Sequence, residues 1–425
     1  MTSPGEATLT GRTYLRLVAI GAIIGLPAAT VAAGFLALVH EVEDLLWHDL
    51  PDALGHTAPP WYLIVGLPAL GALVVLVARR YLPGDGGHEP LEGIGGSPTA
   101  IAHAPGVALA ALGTLAFGAV LGPEAPLIAL GSVVGLAFAR VFPVDPEHGR
   151  LLALAGSFSA ISALFGGPLT AGILLVEASV GLGTKAIPVL IPGLVAAAIG
   201  YLLFTGLGNW GGISEADLEV PGLPPYSEPD IGDLFLAIAL GVAVAIVVEV
   251  VRVGARRVLA DRETVGPGPL LLAGGLATGL IALLADALGA DPLDVLFSGQ
   301  SALPDLVAED STKIVVILLV AKGLAYAICL GCGFRGGPVF PAMFLGTGLG
   351  MLAVITLDVS PTWAVAVGTA AAMAAMTKLL FASLVISAAL VGTAGVDTVP
   401  AAVLAAVAAW VVTSALEGRL AGRHP

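Results

Sequence analysis

The residues with most chemistry to offer lie where glycine and proline break long apolar runs. The first is Glu124, in Leu121-Gly122-Pro123-Glu124-Ala125-Pro126, an acid that interrupts an otherwise uncharged stretch from 93 to 139. An ionisable group set among apolar residues is expensive and is a functional candidate by default. Pro126 suits the first turn of a helix starting here, because the N–H it lacks has no intrahelical partner there. The free N–H groups and positive dipole end of such a helix form an anion site. A carboxylate at Glu124 occupies that site itself, so the expectation is competition: ionised Glu124 excludes a permeant anion, and protonation releases it. The plainer alternative is an acid that only stabilises a helix start.

Two more breaks are of the same kind. Gly331-Cys332-Gly333-Phe334-Arg335-Gly336-Gly337-Pro338-Val339-Phe340-Pro341 puts glycines, which let a backbone approach an ion closely, directly before a helix start. Gly84-Asp85-Gly86-Gly87-His88-Glu89-Pro90 reads as a Gly-rich lead into a short helix. Several half-helix N-termini converging on one point select for anions. Arg335 is either a fixed positive charge for that anion or the partner of a carboxylate or carbonyl. His88 is either a donor to the anion or a satisfied loop histidine.

Long apolar helices must position these breaks. Of the 425 residues, 57% are hydrophobic and 11% charged, against about 25% charged in soluble domains. Stretches of 18 or more residues without Asp, Glu, Lys or Arg run at 17–40, 53–78, 93–123, 151–176, 186–214, 264–285, 336–357, 359–377, 379–396 and 398–416. Each is long enough to cross a bilayer. The composition predicts an all-α polytopic membrane protein and excludes soluble-enzyme, nucleic-acid-binding and secreted disulfide classes. Cys329 and Cys332 form a lone CxxC in an apolar segment, which reads as packing. No HExxH or paired-Asp pattern appears in the spans, so no metal, cofactor or enzymatic activity is expected. Trp47, Trp61, Trp210, Trp363 and Trp410 read as interfacial residues at span ends.

The net charge of -14 says less than its placement. Arg12, Arg16, Arg79, Arg80, Arg140, Arg150, the run Arg252 to Arg262, Arg419 and Arg423 predict the cytoplasmic side, with both termini there. The acidic segments 41–60, 213–233 and 291–310 hold no Lys or Arg and read as external loops. The chain divides into a tail 1–12, a first membrane half 13–212, an acidic linker 213–233, a second half 234–416 and a tail 417–425. Gly166-Gly167-Pro168 and Lys378-Leu379-Leu380 stand at similar places in the two halves. Halves that start on opposite faces form an inverted repeat with the substrate near the midplane.

Taken together, these motifs resemble the CLC family of chloride channels and chloride/proton exchangers, over about 13–415. The family's Gly-Lys/Arg-Glu-Gly-Pro motif is similar to Gly122-Pro123-Glu124-Ala125-Pro126. Its Gly-x-Phe-x-Pro falls on Gly337-Pro338-Val339-Phe340-Pro341, and its Gly-Ser-Gly-Ile-Pro on Gly86-Gly87-His88-Glu89-Pro90. The segment Gly167 to Glu177 resembles a family helix ending in glutamate. The resemblance implies a homodimer with one anion pathway per subunit, built from broken helices of two inverted halves in a prokaryotic plasma membrane. It implies that Glu124 is the external gate. It places a chloride or similar anion against Gly86, Gly87 and His88, against Gly122 and Ala125, and against Gly337, Val339 and Phe340, with Arg335 beside them.

The chain also departs from the pattern. Gly87 stands where the family has a serine hydroxyl, Pro338 where it has a backbone donor, and Val339 where it has phenylalanine. The family's last helix, with its tyrosine, has no counterpart in the nine residues after Leu416. Ala178 stands where family exchangers carry the inner proton acid, leaving Glu177 as a proton relay or a buried support. These departures lean the expectation toward passive conduction rather than proton-coupled exchange of chloride, fluoride or nitrate; a non-transporting scaffold is the alternative from another class. Lys322 is expected to snorkel or pair, and Lys378 to anchor at a membrane face.

Overall fold

The protein is described by a computed structural model covering residues 11–94, 97–142, 144–178, 186–207, 210–213, 218–227 and 229–421. Its principal helices are α1 (Gly11–Asp44), α2 (Trp61–Tyr81), α3 (Ala104–Leu115), α4 (Glu124–Val141), α5 (Pro146–Ser162), α6 (Pro168–Ala178) and α7 (Ala186–Thr205). There follow α8 (Ile231–Ala260), α9 (Pro267–Leu288), α10 (Thr312–Cys332), α11 (Val339–Leu357), α12 (Pro361–Thr377), α13 (Leu380–Val391) and α14 (Val399–Ala421). Proline opens α5, α6, α9 and α12, where its missing N–H has no helical partner. Left-handed glycines, Gly289 and Gly333, close α9 and α10.

Among the described residues, eight helices are long and apolar enough to cross a membrane. They do not coincide with the uncharged stretches. The spans on α4, α8 and α10 were hidden from that criterion because each carries a charge, Glu124, Glu249 and Lys322 respectively, which the fold buries. Conversely, 93–123 is not a span: it holds a 3-10 turn, the twelve-residue α3 and an irregular approach to Glu124. Two tryptophans expected at the interface, Trp47 and Trp363, lie in the core instead, and the Trp47 indole donates to the Ala116 carbonyl at 3.0 Å.

The chain clusters into two units. The first contains residues 1–34, 97–101 and 127–216. There glycines bring helix backbones together: a Cβ on Gly21 or Gly25 of α1 would strike the Pro192 or Ala196 backbone of α7, and one on Gly131 or Gly135 of α4 would strike α5. The Ser159 hydroxyl donates to the Gly25 carbonyl at 2.7 Å. The second unit contains 35–96, 102–126 and 217–425. Gly275 and Gly279 of α9 abut α2, Gly241 of α8 abuts Ala405 of α14, and Gly346 and Gly350 of α11 abut α12. Small residues thus replace the hydrophobic drive that lipid removes.

The two sets of crossings repeat. Gly131 and Gly135 follow Glu124 at the same intervals as Gly346 and Gly350 follow Val339, and each pair meets the next helix. The short helices α6 and α13 likewise each follow a break after α5 and α12. Over its described part the acidic linker is hydrogen-bonded within the second unit: Val220 and Tyr226 donate to the carbonyls of Leu390 and Ala394 at 2.8 Å.

Candidate functional site

The site is built in the second unit where α4 and α11 begin. Gly122 and Gly337 donate to each other's carbonyls, at 2.8 and 2.6 Å, so the two breaks are stitched back to back. Glycine leaves room for the gate at both positions: a Cβ on Gly122 or Gly337 would meet the Glu124 carboxyl and oblige it to move. Glu124 itself has no exposed surface. Its Oε1 accepts from the Val339 N–H at 2.6 Å, the first N–H of α11, while Oε2 is buried without a partner. A carboxylate on a helix N-terminus meets both an unpaired donor and the positive end of the dipole.

The stitching has a second layer. The Val120 N–H donates to Cys329 Sγ at 3.3 Å, and the Arg335 N–H donates to Thr114 Oγ1 at 3.1 Å. Cys329 therefore has a specific partner beyond the packing role expected of it. The Tyr326 hydroxyl of α10 donates to the Pro338 carbonyl at 2.6 Å. Tyr326 is not singled out by sequence pattern, because its significance lies in the carbonyl it meets.

Several expected anion donors are engaged elsewhere. The N–H groups of Gly122 and Gly337 serve each other, and that of Gly87 closes a turn onto the Gly84 carbonyl at 2.9 Å. The segment after Gly87 is a three-residue 3-10 turn, Pro90–Glu92, not a helix with a useful dipole. Val339 offers its N–H to Glu124, while Ala125 and Phe340 lie in the first turns of α4 and α11, with Phe340 fully buried. His88 Nδ1 lies 3.3 Å from Glu92, and its Nε2 is buried without a hydrogen-bond partner.

Of its two expected roles, Arg335 occupies that of partner to a carboxylate and a carbonyl. Only 2% exposed, it donates to the Asp85 carboxylate at 2.6 Å and to the Asp85 carbonyl at 3.0 Å, and lies 3.5 Å from Glu89. Arg79 grips the same carboxylate at 2.9 and 3.1 Å and the Gly333 carbonyl at 3.1 Å. Burial alone would raise the Asp85 carboxyl, but the hydrogen bond from Arg79 and the charges of Arg335 and Arg79 outweigh it and hold it below the usual range. For Glu89, burial is likewise outweighed by the hydrogen bond from Arg262 and the charge of Arg335. The loop 84–89 is thus strapped to the break before α11.

Two other cations are likewise held by partners. Lys322 does not snorkel: fully buried, it donates to the carbonyls of Asp294, Val295 and Leu296 at 2.7, 3.3 and 2.9 Å and sits 4.5 Å from the Phe344 ring. Lys378 lies 3.3 Å from Glu417, in a cluster where Arg252 and Arg256 pair with Glu249 and Glu417. Glu177 lies in the last turn of α6 in the first unit, half-buried.

Long apolar helices, two of them beginning at breaks that are joined over a buried acid, define a polytopic membrane protein. The sequence profile of the voltage gated chloride channel family matches residues 70–414. The chain belongs to that family, whose members are membrane channels and transporters for anions. It is 30% identical over 353 residues to the "Putative ion-transport protein YfeO" of Escherichia coli O1:K1 / APEC, covering 80% of this chain and 79% of that one. Its fold is similar to that of a slow cyanobacterial Cl-/H+ antiporter, with TM-score 0.77 at 19% identity over 95% of both chains. A CLC-type fluoride/proton antiporter superposes with TM-score 0.73, also at 19% identity, over 96% of this chain and 97% of that one.

Proposed function

We propose that the protein carries small inorganic anions, chloride foremost, along a pathway closed by ionised Glu124 and opened by its protonation. The observation that carries this reading is the Glu124 carboxylate lying on the Val339 N–H at 2.6 Å with no surface exposed. An anion and that carboxylate compete for one donor and one helix dipole, and a neutral acid gives the place up. The first turns of α4 and α11, around Ala125, Val339 and Phe340, then receive the ion. The working unit is a homodimer with one pathway per subunit, in a prokaryotic plasma membrane with both termini cytoplasmic.

Passive conduction is the first choice, because Ala178 leaves no acid beside Glu177 to bring protons from the inner side. Proton-coupled antiport is the second reading, supported by the solved proteins of this fold, described as Cl-/H+ and fluoride/proton antiporters. The experiment is anion flux from liposomes across a pH series. Wild-type flux falls as pH rises, and Glu124→Gln, a mimic of the protonated gate, keeps its flux at high pH. A mutant with the wild-type pH profile removes Glu124 from gating. A reversal potential that moves with the pH gradient at fixed chloride decides for antiport, and folded dimer with no flux at any pH decides for a scaffold.

A further inference from the structure

The peptide unit that holds the gate is gripped at both ends. Its N–H, from Val339, donates to Glu124 Oε1 at 2.6 Å; its C=O, from Pro338, accepts the Tyr326 hydroxyl at 2.6 Å. In a trans peptide these groups point in opposite directions, so Tyr326, the peptide and Glu124 form one chain of aligned dipoles. A donor on the carbonyl draws electron density from the amide nitrogen and makes its N–H a stronger donor in turn. All three members are fully buried, where such polarisation is least screened.

The repeat makes the arrangement informative. The residue placed relative to the first break as Tyr326 is to the second is Ala111, which has no hydroxyl to offer the Pro123 carbonyl. Most of the surrounding frame is duplicated, with Gly118 matching Gly333, Gly122 matching Gly337, Pro123 matching Pro338 and Pro126 matching Pro341. Two polar side chains without a counterpart, Glu124 and Tyr326, converge on the same peptide.

We infer that Tyr326 is a positioning residue for the gate: its hydroxyl polarises the Pro338–Val339 peptide and tightens the hold of the Val339 N–H on ionised Glu124. The other titratable or charged groups on the surrounding elements are engaged or remote. On α10, Lys322 is capped by carbonyls and Cys329 accepts from Val120. Arg335 is paired with Asp85. On α8, Arg252 lies within electrostatic reach of Tyr326 and is paired with Glu249 and Glu417. Along their own helices, α4 brings no further acid or base before Arg140, and α11 none before Asp358.

This inference rests on the gating role of Glu124, so its test needs a reading that does not depend on transport. Difference infrared spectroscopy of wild type against Glu124→Gln gives the pH at which the Glu124 carboxyl is half protonated, whether or not ions move. Tyr326→Phe removes the donor and is expected to move that midpoint up by about half a pH unit, a modest fraction of a charge-assisted hydrogen bond. A fluorinated tyrosine at 326 is a stronger donor of nearly the same shape. It moves the midpoint down, and it keeps the test open if the phenylalanine variant fails to fold. Flux measured on the same proteins shifts in parallel, and in the Glu124→Gln background neither change at 326 alters its pH profile. Variants that lose thermal stability but keep the wild-type midpoint make Tyr326 a structural hydroxyl and overturn the inference while leaving the gate intact. A shifting midpoint in a protein without flux overturns the transport reading alone. A Glu124 with no protonation step overturns both.

Discussion

The breaks before α4 and α11 are near copies that do different work. Gly122-Pro123-Glu124-Ala125-Pro126 and Gly337-Pro338-Val339-Phe340-Pro341 share both prolines and the leading glycine. Each glycine donates to the other, and each break sends an N–H back to the helix that precedes its copy, Val120 to Cys329 and Arg335 to Thr114. The differences are side chains: Glu124 against Val339, and Val120 against Arg335. The shared backbone builds a frame that brings two helix starts together; the unshared side chains put the gate on one start and a charged strap on the other. A duplicated scaffold supplies position, and departures from the duplication supply function.

The sharpest way to break that frame is to fill one of its glycines. Gly337→Ala places a methyl against Glu124 Cδ, Cγ and Oε1 at once. The carboxyl must then leave the Val339 N–H or the breaks must part. The expected cost is about 3 kcal/mol, the upper end of ordinary overpacking. Flux in Gly337→Ala should lose its fall at high pH. In a Glu124→Ala background, which removes the clashing group, the cost should drop by about 1 kcal/mol or more, as for residues in contact. Equal unfolding costs in the two backgrounds would mean that the glycines serve the backbone alone.

A second test compares the two acceptors. Thr114 Oγ1 and Cys329 Sγ answer the same kind of N–H from opposite breaks, one with oxygen and one with sulfur. Thr114→Val keeps the shape, leaves the Arg335 N–H buried without a partner, and should cost about 1 to 2 kcal/mol in thermal unfolding. Thr114→Cys makes the two positions alike and should cost less, because sulfur still accepts weakly. If valine is no worse than cysteine, the bond from Arg335 contributes nothing measurable.

The sequence showed the class of the fold plainly, because apolar composition and glycine-proline breaks are local. It also singled out Glu124, since an acid inside an uncharged stretch needs no neighbour to be noticed. The donors were harder. Gly122, Gly337 and Gly87 have the right residue type to face an anion, yet where an N–H points depends on which remote carbonyl lies nearest, and Gly122 and Gly337 are far apart in the chain. Counting uncharged stretches failed on α4, α8 and α10, because a buried charge looks in sequence like an exposed one. The matching Gly-Pro pairs at the two breaks are a clearer mark of the repeat than Gly166-Gly167-Pro168 and Lys378, which share no residue pattern. Tyr326 was invisible for a different reason: what makes it notable is the carbonyl it meets.

The gentlest probe acts on the strap that only the second break possesses. Asp85 accepts from Arg79 and Arg335, and its carboxyl is held below its ordinary value of 3.8, the pull of the two arginines outweighing burial. A carboxyl with a lowered folded value gives stability that is complete above the unfolded value and is lost as pH falls through the folded one. The strap therefore holds at neutral pH and lets go below about pH 4. More than half of the Asp85 side chain is exposed, so solvent screening limits its contribution to about 1 kcal/mol or less. Thermal unfolding in detergent should show a small loss of stability on the acid side, and Asp85→Asn should start lower at pH 7 and show less of that loss. Arg335 would then keep Glu89, at 3.5 Å, as its one carboxylate, together with the residue-85 carbonyl at 3.0 Å. If Asp85→Asn matches wild type at every pH, Glu89 and the residue-85 carbonyl suffice for Arg335, and the Asp85 carboxylate is no part of what distinguishes the second break from the first.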